Sequence, residues 1–187
     1  MKSLAKFVIS AAAIAVLAGC STLSKEQCEM GDWHEIGRMD GSKGYDMTRF
    51  QQHVKACGEY GVTPSREIYT KGRDVGLTTY CTPENGMAVG RNGSTYNNVC
   101  PADLERGFLK KYKIGKEMYD IDSQIKQIDY DIESIDGQFD NAKLSSSDRS
   151  RLRSDQRRLE REKDRLQKRL TMIEMKEMVT EAVQKQD

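Results

Sequence analysis

The chain has 187 residues, with 30 Lys and Arg against 29 Asp and Glu; 37% of it is hydrophobic and 32% charged. That polarity excludes a polytopic membrane protein, and a net charge of +1 excludes a globally basic nucleic-acid binder. A chain of this size suits one compact domain with an appendage.

Residues 1–19 read as an export signal. Lys2 and Lys6 precede an apolar run from Phe7 to Leu17, shorter than the roughly 20 residues needed to span a bilayer. The run ends in Leu17-Ala18-Gly19-Cys20, which resembles the lipobox of bacterial lipoproteins. The resemblance implies cleavage before Cys20 and acylation of its sulfur and new amine. Acyl burial worth about 0.8 kcal/mol per CH₂ would then anchor the chain to a membrane. Ser21 in place of Asp implies, by the same resemblance, the periplasmic face of the outer membrane. Residues 20–27 are expected to form a short polar, lipidated tether.

Residues 28–118 have the composition of a turn-rich head. All three prolines and thirteen of the fifteen glycines lie between Gly31 and Gly115. Helices are expected at Asp32–Asp40, Thr48–Glu59, Pro64–Tyr80 and from Ala102 onward, with Thr63 capping Pro64. With Cys20 lipidated, Cys28, Cys57, Cys81 and Cys100 remain, and outside the cytoplasm four cysteines imply two disulfides. Antiparallel neighbouring helices bring Cys28 beside Cys57 and Cys81 beside Cys100, so these are the expected pairs. Gly37-Arg38-Met39-Asp40-Gly41 and Gly72-Arg73-Asp74-Val75-Gly76 share a G-R-x-x-G pattern, and Gly90-Arg91-Asn92-Gly93 is a shortened relative. Tyr69-x-x-Gly72 recurs as Tyr112-x-x-Gly115. Glycines four apart bare one helix face, so a backbone or a ring can lie close. Trp33, Tyr69, Tyr80, Tyr96, Phe108 and Tyr112 are candidates to fill such grooves. A phosphate or glycan role for Arg38, Arg73 and Arg91 is the alternative, although none of these spacings is a Walker A or dinucleotide fingerprint.

Residues 119–187 should form an antiparallel helical hairpin. Apolar residues at Ile114, Met118, Ile121, Ile125, Ile128, Ile132, Ile135 and Phe139 step by 4 and 3 in alternation, the period of a coiled-coil seam. A second run holds Leu152, Leu159, Leu166, Leu170 and Ile173. Between them, near 141–148, Leu144-Ser145-Ser146-Ser147 interrupts the pattern, with Ser147 as the expected cap and Asp148 in the new first turn. Folding back places Phe139 on Leu152, Ile132 on Leu159, Ile125 on Leu166, Ile121 on Leu170 and Met118 on Ile173. Ile135 and Ile128 would then face the polar Gln156 and Lys163. The strands differ in charge: residues 120–140 hold seven acids and one base, residues 149–169 ten bases and four acids. This mismatch favours pairing the two helices with each other. It also suggests that the acidic helix offsets the arginines Arg149, Arg151, Arg153, Arg157, Arg158 and Arg161, which otherwise form a candidate nucleic-acid or lipopolysaccharide site. A single unbroken helix that dimerises is the rival architecture.

The head resembles a family of bacterial lipoproteins catalogued as domain of unknown function 2799. The matching words are Cys28-x-x-Gly31-Asp32-Trp33, Ile36-Gly37-x-x-Asp40-Gly41 and His53-x-x-x-Cys57. They continue with Tyr69-x-x-Gly72-Arg73-x-x-Gly76-Leu77, Tyr80-Cys81-Thr82-Pro83-Glu84-Asn85-Gly86 and Val99-Cys100-Pro101. The resemblance implies lipidation and brings no established activity, and the tail lies mostly outside it.

Cys28, His34, His53 and Cys57 together could make a two-Cys, two-His zinc site, but an oxidising compartment favours the disulfide. Asp32, Asp40 and Glu84 are the carboxylates a glycan hydrolase would need. No nucleophile elbow or H-E-x-x-H motif is present. The sequence therefore reads as mainly α: a disulfide-stapled helical head followed by a coiled-coil hairpin. The expected function is non-enzymatic, with no cofactor or metal. The membrane would be held through the N-terminal acyl chains, and the partner would be an envelope protein or peptidoglycan. The protein would be a monomer or weak oligomer with no nucleic acid. The alternative is a periplasmic hydrolase acting on cell-wall glycan.

Overall fold

The computed structural model describes residues 22–140 and 143–184. These residues form seven helices and no strand: α1 (Lys25–Met30), α2 (Trp33–Ser42), α3 (Met47–Gly58), α4 (Arg66–Tyr80), α5 (Pro83–Arg91), α6 (Ala102–Phe139) and α7 (Ser146–Gln184). Cys20 and the export segment lie outside the described residues.

Short polar side chains start most of these helices. Ser24 and Gln27 form a reciprocal capping box on α1, which ends on Gly31 at φ 67. Asp32, Asp46, Ser65 and Thr82 accept from the first-turn amides of α2, α3, α4 and α5. The expected boundaries shift at several points. The tether expected over residues 20–27 is already structured at its end, because α1 begins at Lys25 and Leu23 is buried. α4 is capped by Ser65 rather than Thr63. The Thr-Pro start operates instead at Thr82-Pro83, where it opens α5, a helix the sequence reading left out. In the tail, Ser145 takes the capping role expected of Ser147, accepting from the Asp148 amide at 3.1 Å.

The head is built on two glycine crossings. α2 lies against α4 so closely that a Cβ on Gly37, Gly41, Gly72 or Gly76 would collide with the backbone of the other helix, at Tyr69, Arg73, His34 and Arg38 respectively. α5 meets α6 in the same way, with Gly86, Gly90 and Gly115 against the backbones of Phe108, Tyr112 and Met87. Another backbone, not an aromatic ring, therefore fills the bare helix faces. Rings lie instead over the left-handed glycines Gly44 and Gly93, through Tyr80 and Tyr119, and at ordinary contact distance over Gly31, through Trp33. The other expected rings pack beside the crossings. Trp33, Phe50 and Tyr69 form one cluster with Leu23, Cys28 and Cys57. Tyr80, Tyr96 and Phe108 form a second with Leu77 and Cys81, flanked by Tyr112.

One disulfide closes beside each cluster. Cys28 bonds Cys57 and Cys81 bonds Cys100, with Cα atoms 5.4 and 5.6 Å apart. For loops of 29 and 19 residues, chain-entropy arguments give about 3–4 kcal/mol each.

α6 runs without a break from the head into the tail, so the compositional boundary near residue 118 falls inside one helix. α7 returns antiparallel along it. Ile121, Ile128 and Leu166 are buried between the two, flanked by Ile125, Ile132, Leu159, Leu170 and Ile173. The polar positions in the second run reach sideways: Gln156 donates to Asp136 at 3.0 Å and Lys163 pairs with Asp129 at 2.5 Å. Nearer the head, Arg169 pairs with Glu117, Lys111 with Glu177 and Arg91 with Glu174.

The crossings make a direct prediction. Gly72→Ala must push α2 and α4 apart and should cost at least about 1–3 kcal/mol. Gly137→Ala, where a new Cβ meets nothing within 4 Å, should instead stabilise by up to about 1 kcal/mol through helix propensity. Urea unfolding of the two variants reads both signs. Equal midpoints would contradict the backbone-contact account.

Candidate functional site

Two of the buried polar residues of the head, Asp40 and His53, meet beneath its first described residues. Asp40 sits on α2 between the two glycines of that helix's crossing face, so the close approach of α4 buries it, with the residue 6% exposed. A lone carboxylate there would be costly, and it is held by donors from two other helices. Tyr69 of α4 donates its hydroxyl to Asp40 Oδ2 at 2.9 Å, and His53 Nε2 of α3 meets the same oxygen at 2.7 Å. Arg49, one turn before His53, places Nε 3.8 Å from Asp40 Oδ1 and lies over the Tyr45 ring. His53 is 1% exposed, and its other nitrogen, Nδ1, meets Thr22 Oγ1 at 2.8 Å. Both ring nitrogens are thus engaged, one by the carboxylate and the other by the threonine hydroxyl, which can donate or accept.

A hydroxyl, an imidazole and a carboxylate in sequence have the composition of a nucleophilic triad. Of the three, only Thr22 reaches the surface, and Asp40 is shared with a tyrosine and faced by an arginine. What the arrangement does physically is latch the segment at Thr22 and Leu23 onto the head. Thr22 is tied to His53, and Leu23 is packed with Trp33, Phe50 and Tyr69. Position 20, the expected lipidation site, is therefore two residues from a fixed point in the core.

The remaining candidate residues are dispersed. Cys28 and Cys57 are joined to each other, His34 is exposed, and His53 is engaged as described, so the four proposed zinc ligands do not assemble. No cluster of three or more metal-ligating side chains occurs among the described residues. Asp32 caps α2 and Glu84 is exposed on α5, so neither joins Asp40 as an acid–base pair. Arg38 pairs with Glu35, Arg73 donates to the Tyr45 carbonyl at 3.0 Å, and Arg91 binds Glu174, so each G-R motif arginine is used within the fold. No described helix is long and apolar enough to cross a membrane.

Residues 32–117 match the family described as Protein of unknown function (DUF2799). The match covers most of the head and 86 of the chain's 187 residues. The match opens at the Asp32 cap and closes two residues past Gly115, so it takes in both glycine crossings, both cysteines of the 81–100 bond and Asp40, His53 and Tyr69 of the buried network. Thr22, the expected lipidation site at Cys20, and residues 118–187 lie outside it. No curated protein and no solved structure matches the chain.

Burial pushes the Tyr69 phenol above the ordinary tyrosine range, and the adjacent Asp40 charge adds to it. A raised native value means that Tyr69's contribution to stability is complete below pH ~10 and is lost as pH climbs through that raised value. Above pH 10 the head should therefore lose stability about 1.4 kcal/mol per pH unit more steeply than its Tyr69→Phe variant. Denaturant titrations at several alkaline pH values measure both slopes. Parallel slopes would mean that Tyr69 is not held neutral by this burial.

Proposed function

We propose that the protein is a lipid-anchored lipoprotein of the outer membrane's periplasmic face. It acts without catalysis, by binding another envelope protein or peptidoglycan. The observation that carries this reading is the latch. Thr22 and Leu23 are held in the head, two and three residues after Cys20. A lipid on Cys20 would hold the disulfide-stapled head against the bilayer instead of letting it swing on a tether. The arm then begins from a fixed base. From Gly115 to Phe139, α6 extends about 36 Å beyond the α5 crossing at 1.5 Å per residue. We read α6 and α7 as an antiparallel coiled-coil hairpin that serves as this arm. The heptad spacing and the apolar cluster between the helices support that reading.

Two measurements test it. Cys20→Ser should abolish acyl labelling and release the protein from membranes. Retention of the variant on membranes, with no label on the wild type, would refute the anchor. Cysteines introduced at 125 and 166 should form a disulfide within one chain, whereas a 125/159 pair should not. Crosslinks found only between chains would replace the hairpin with a dimeric assembly.

A further inference from the structure

The acidic helix does not neutralise the arginine run of α7 in the way its composition suggests. Cross-helix ion pairs use Lys163 and Arg169, which lie beyond the run, to engage Asp129 and Glu117, while Asp136 accepts from Gln156. Arg149 reaches back to the Phe139 carbonyl at 3.3 Å, and Arg158 pairs with Asp155 on its own helix. Arg153 and Arg157 are exposed and make no ion pair among the described residues. With Arg149, Ser146 and Ser150 they line one open groove of about 390 Å³ on the first turns of α7. Every charged residue on that lining is an arginine.

Arg153 and Arg157, one turn apart on the same face, align two exposed guanidinium forks along about 6 Å of helix, beside Arg149, whose guanidinium is engaged at the Phe139 carbonyl. Such forks match phosphate oxygens two at a time, which a lysine ammonium does not. We propose that this groove, at the end of the arm remote from the head, docks on the phosphate groups of an anionic lipid surface. Two observations favour lipid over nucleic acid. The two disulfides belong to an oxidising compartment, and the chain as a whole is nearly neutral, so it lacks the broad positive field of a nucleic-acid binder. The site stands on side-chain geometry and does not require the N-terminal anchor.

The test uses the full chain from residue 20 with Cys20→Ser, so that no acyl group contributes, and sedimentation with vesicles. Binding is expected to phosphatidylcholine vesicles containing phosphatidylglycerol and not to phosphatidylcholine alone, and it should weaken as salt is raised. Arg153→Gln with Arg157→Gln should lower partitioning roughly thirtyfold, at about 1 kcal/mol per basic residue near an anionic surface. Arg165→Gln with Lys168→Gln removes the same charge from positions outside the groove and should change it less than about threefold by the same reasoning. Glutamine suits exposed helix positions, and circular dichroism verifies that both variants fold. Equal losses in the two variants, undiminished binding by the groove variant, or tighter binding to a DNA duplex than to anionic vesicles would each overturn the proposal.

Discussion

The contact of helix backbone on helix backbone through facing glycines governs this structure. At seven helical positions, Gly37, Gly41, Gly72, Gly76, Gly86, Gly90 and Gly115, a single added carbon would strike the neighbouring helix. Glycine inside a helix costs about 1 kcal/mol relative to alanine, so the seven together cost about 7 kcal/mol. The two disulfides, at about 3–4 kcal/mol each, offset a sum of that size. This gives a physical reason for a head with a small apolar core to carry both features. The staples compensate for helices chosen for closeness rather than for intrinsic stability.

The close crossing also creates the polar interior. Bringing α4 against α2 encloses Asp40, and an enclosed carboxylate demands donors, which α3 and α4 supply through His53 and Tyr69. The second nitrogen of His53 then finds its partner in Thr22, outside the family match, so a segment the match does not cover is bound to the network of the matched head. The other crossing hands its geometry outward. α6 packs on α5 at Gly115 and continues without interruption as one side of the α6–α7 pair, so the arm's direction is set by the head.

Much of this was legible in the chain. The cysteine spacing and antiparallel helices lead to the pairs 28–57 and 81–100 seen here, and the 3.5-residue repeat identifies the residues buried between α6 and α7. The glycine pattern signals a bare helix face but not its occupant, because either a ring or a backbone fits a missing Cβ. α5 lies between the expected helices although Thr82-Pro83 carries a complete start signal, because it spans only nine residues before the chain turns at Asn92. The Asp40–His53 pair is a contact between residues thirteen apart on separate helices, invisible to local pattern. Its one advance signal is an acid flanked by the glycines of a crossing face. The fate of the arginine run depended on which carboxylates α6 offers to α7, and charge totals do not contain that information.

The most direct test of the crossing account is native-state hydrogen exchange, resolved along the oxidised full chain. If the glycine contacts govern the head, amides of α2 and α4 around Gly37–Gly41 and Gly72–Gly76, and of α5 around Gly86–Gly90, should exchange last and together, by global opening. The exposed first turns of α7 should exchange well before them. Protection greatest between α6 and α7, with α2, α4 and α5 exchanging early, would contradict the account and make the arm, not the glycine crossings, the element on which the fold depends.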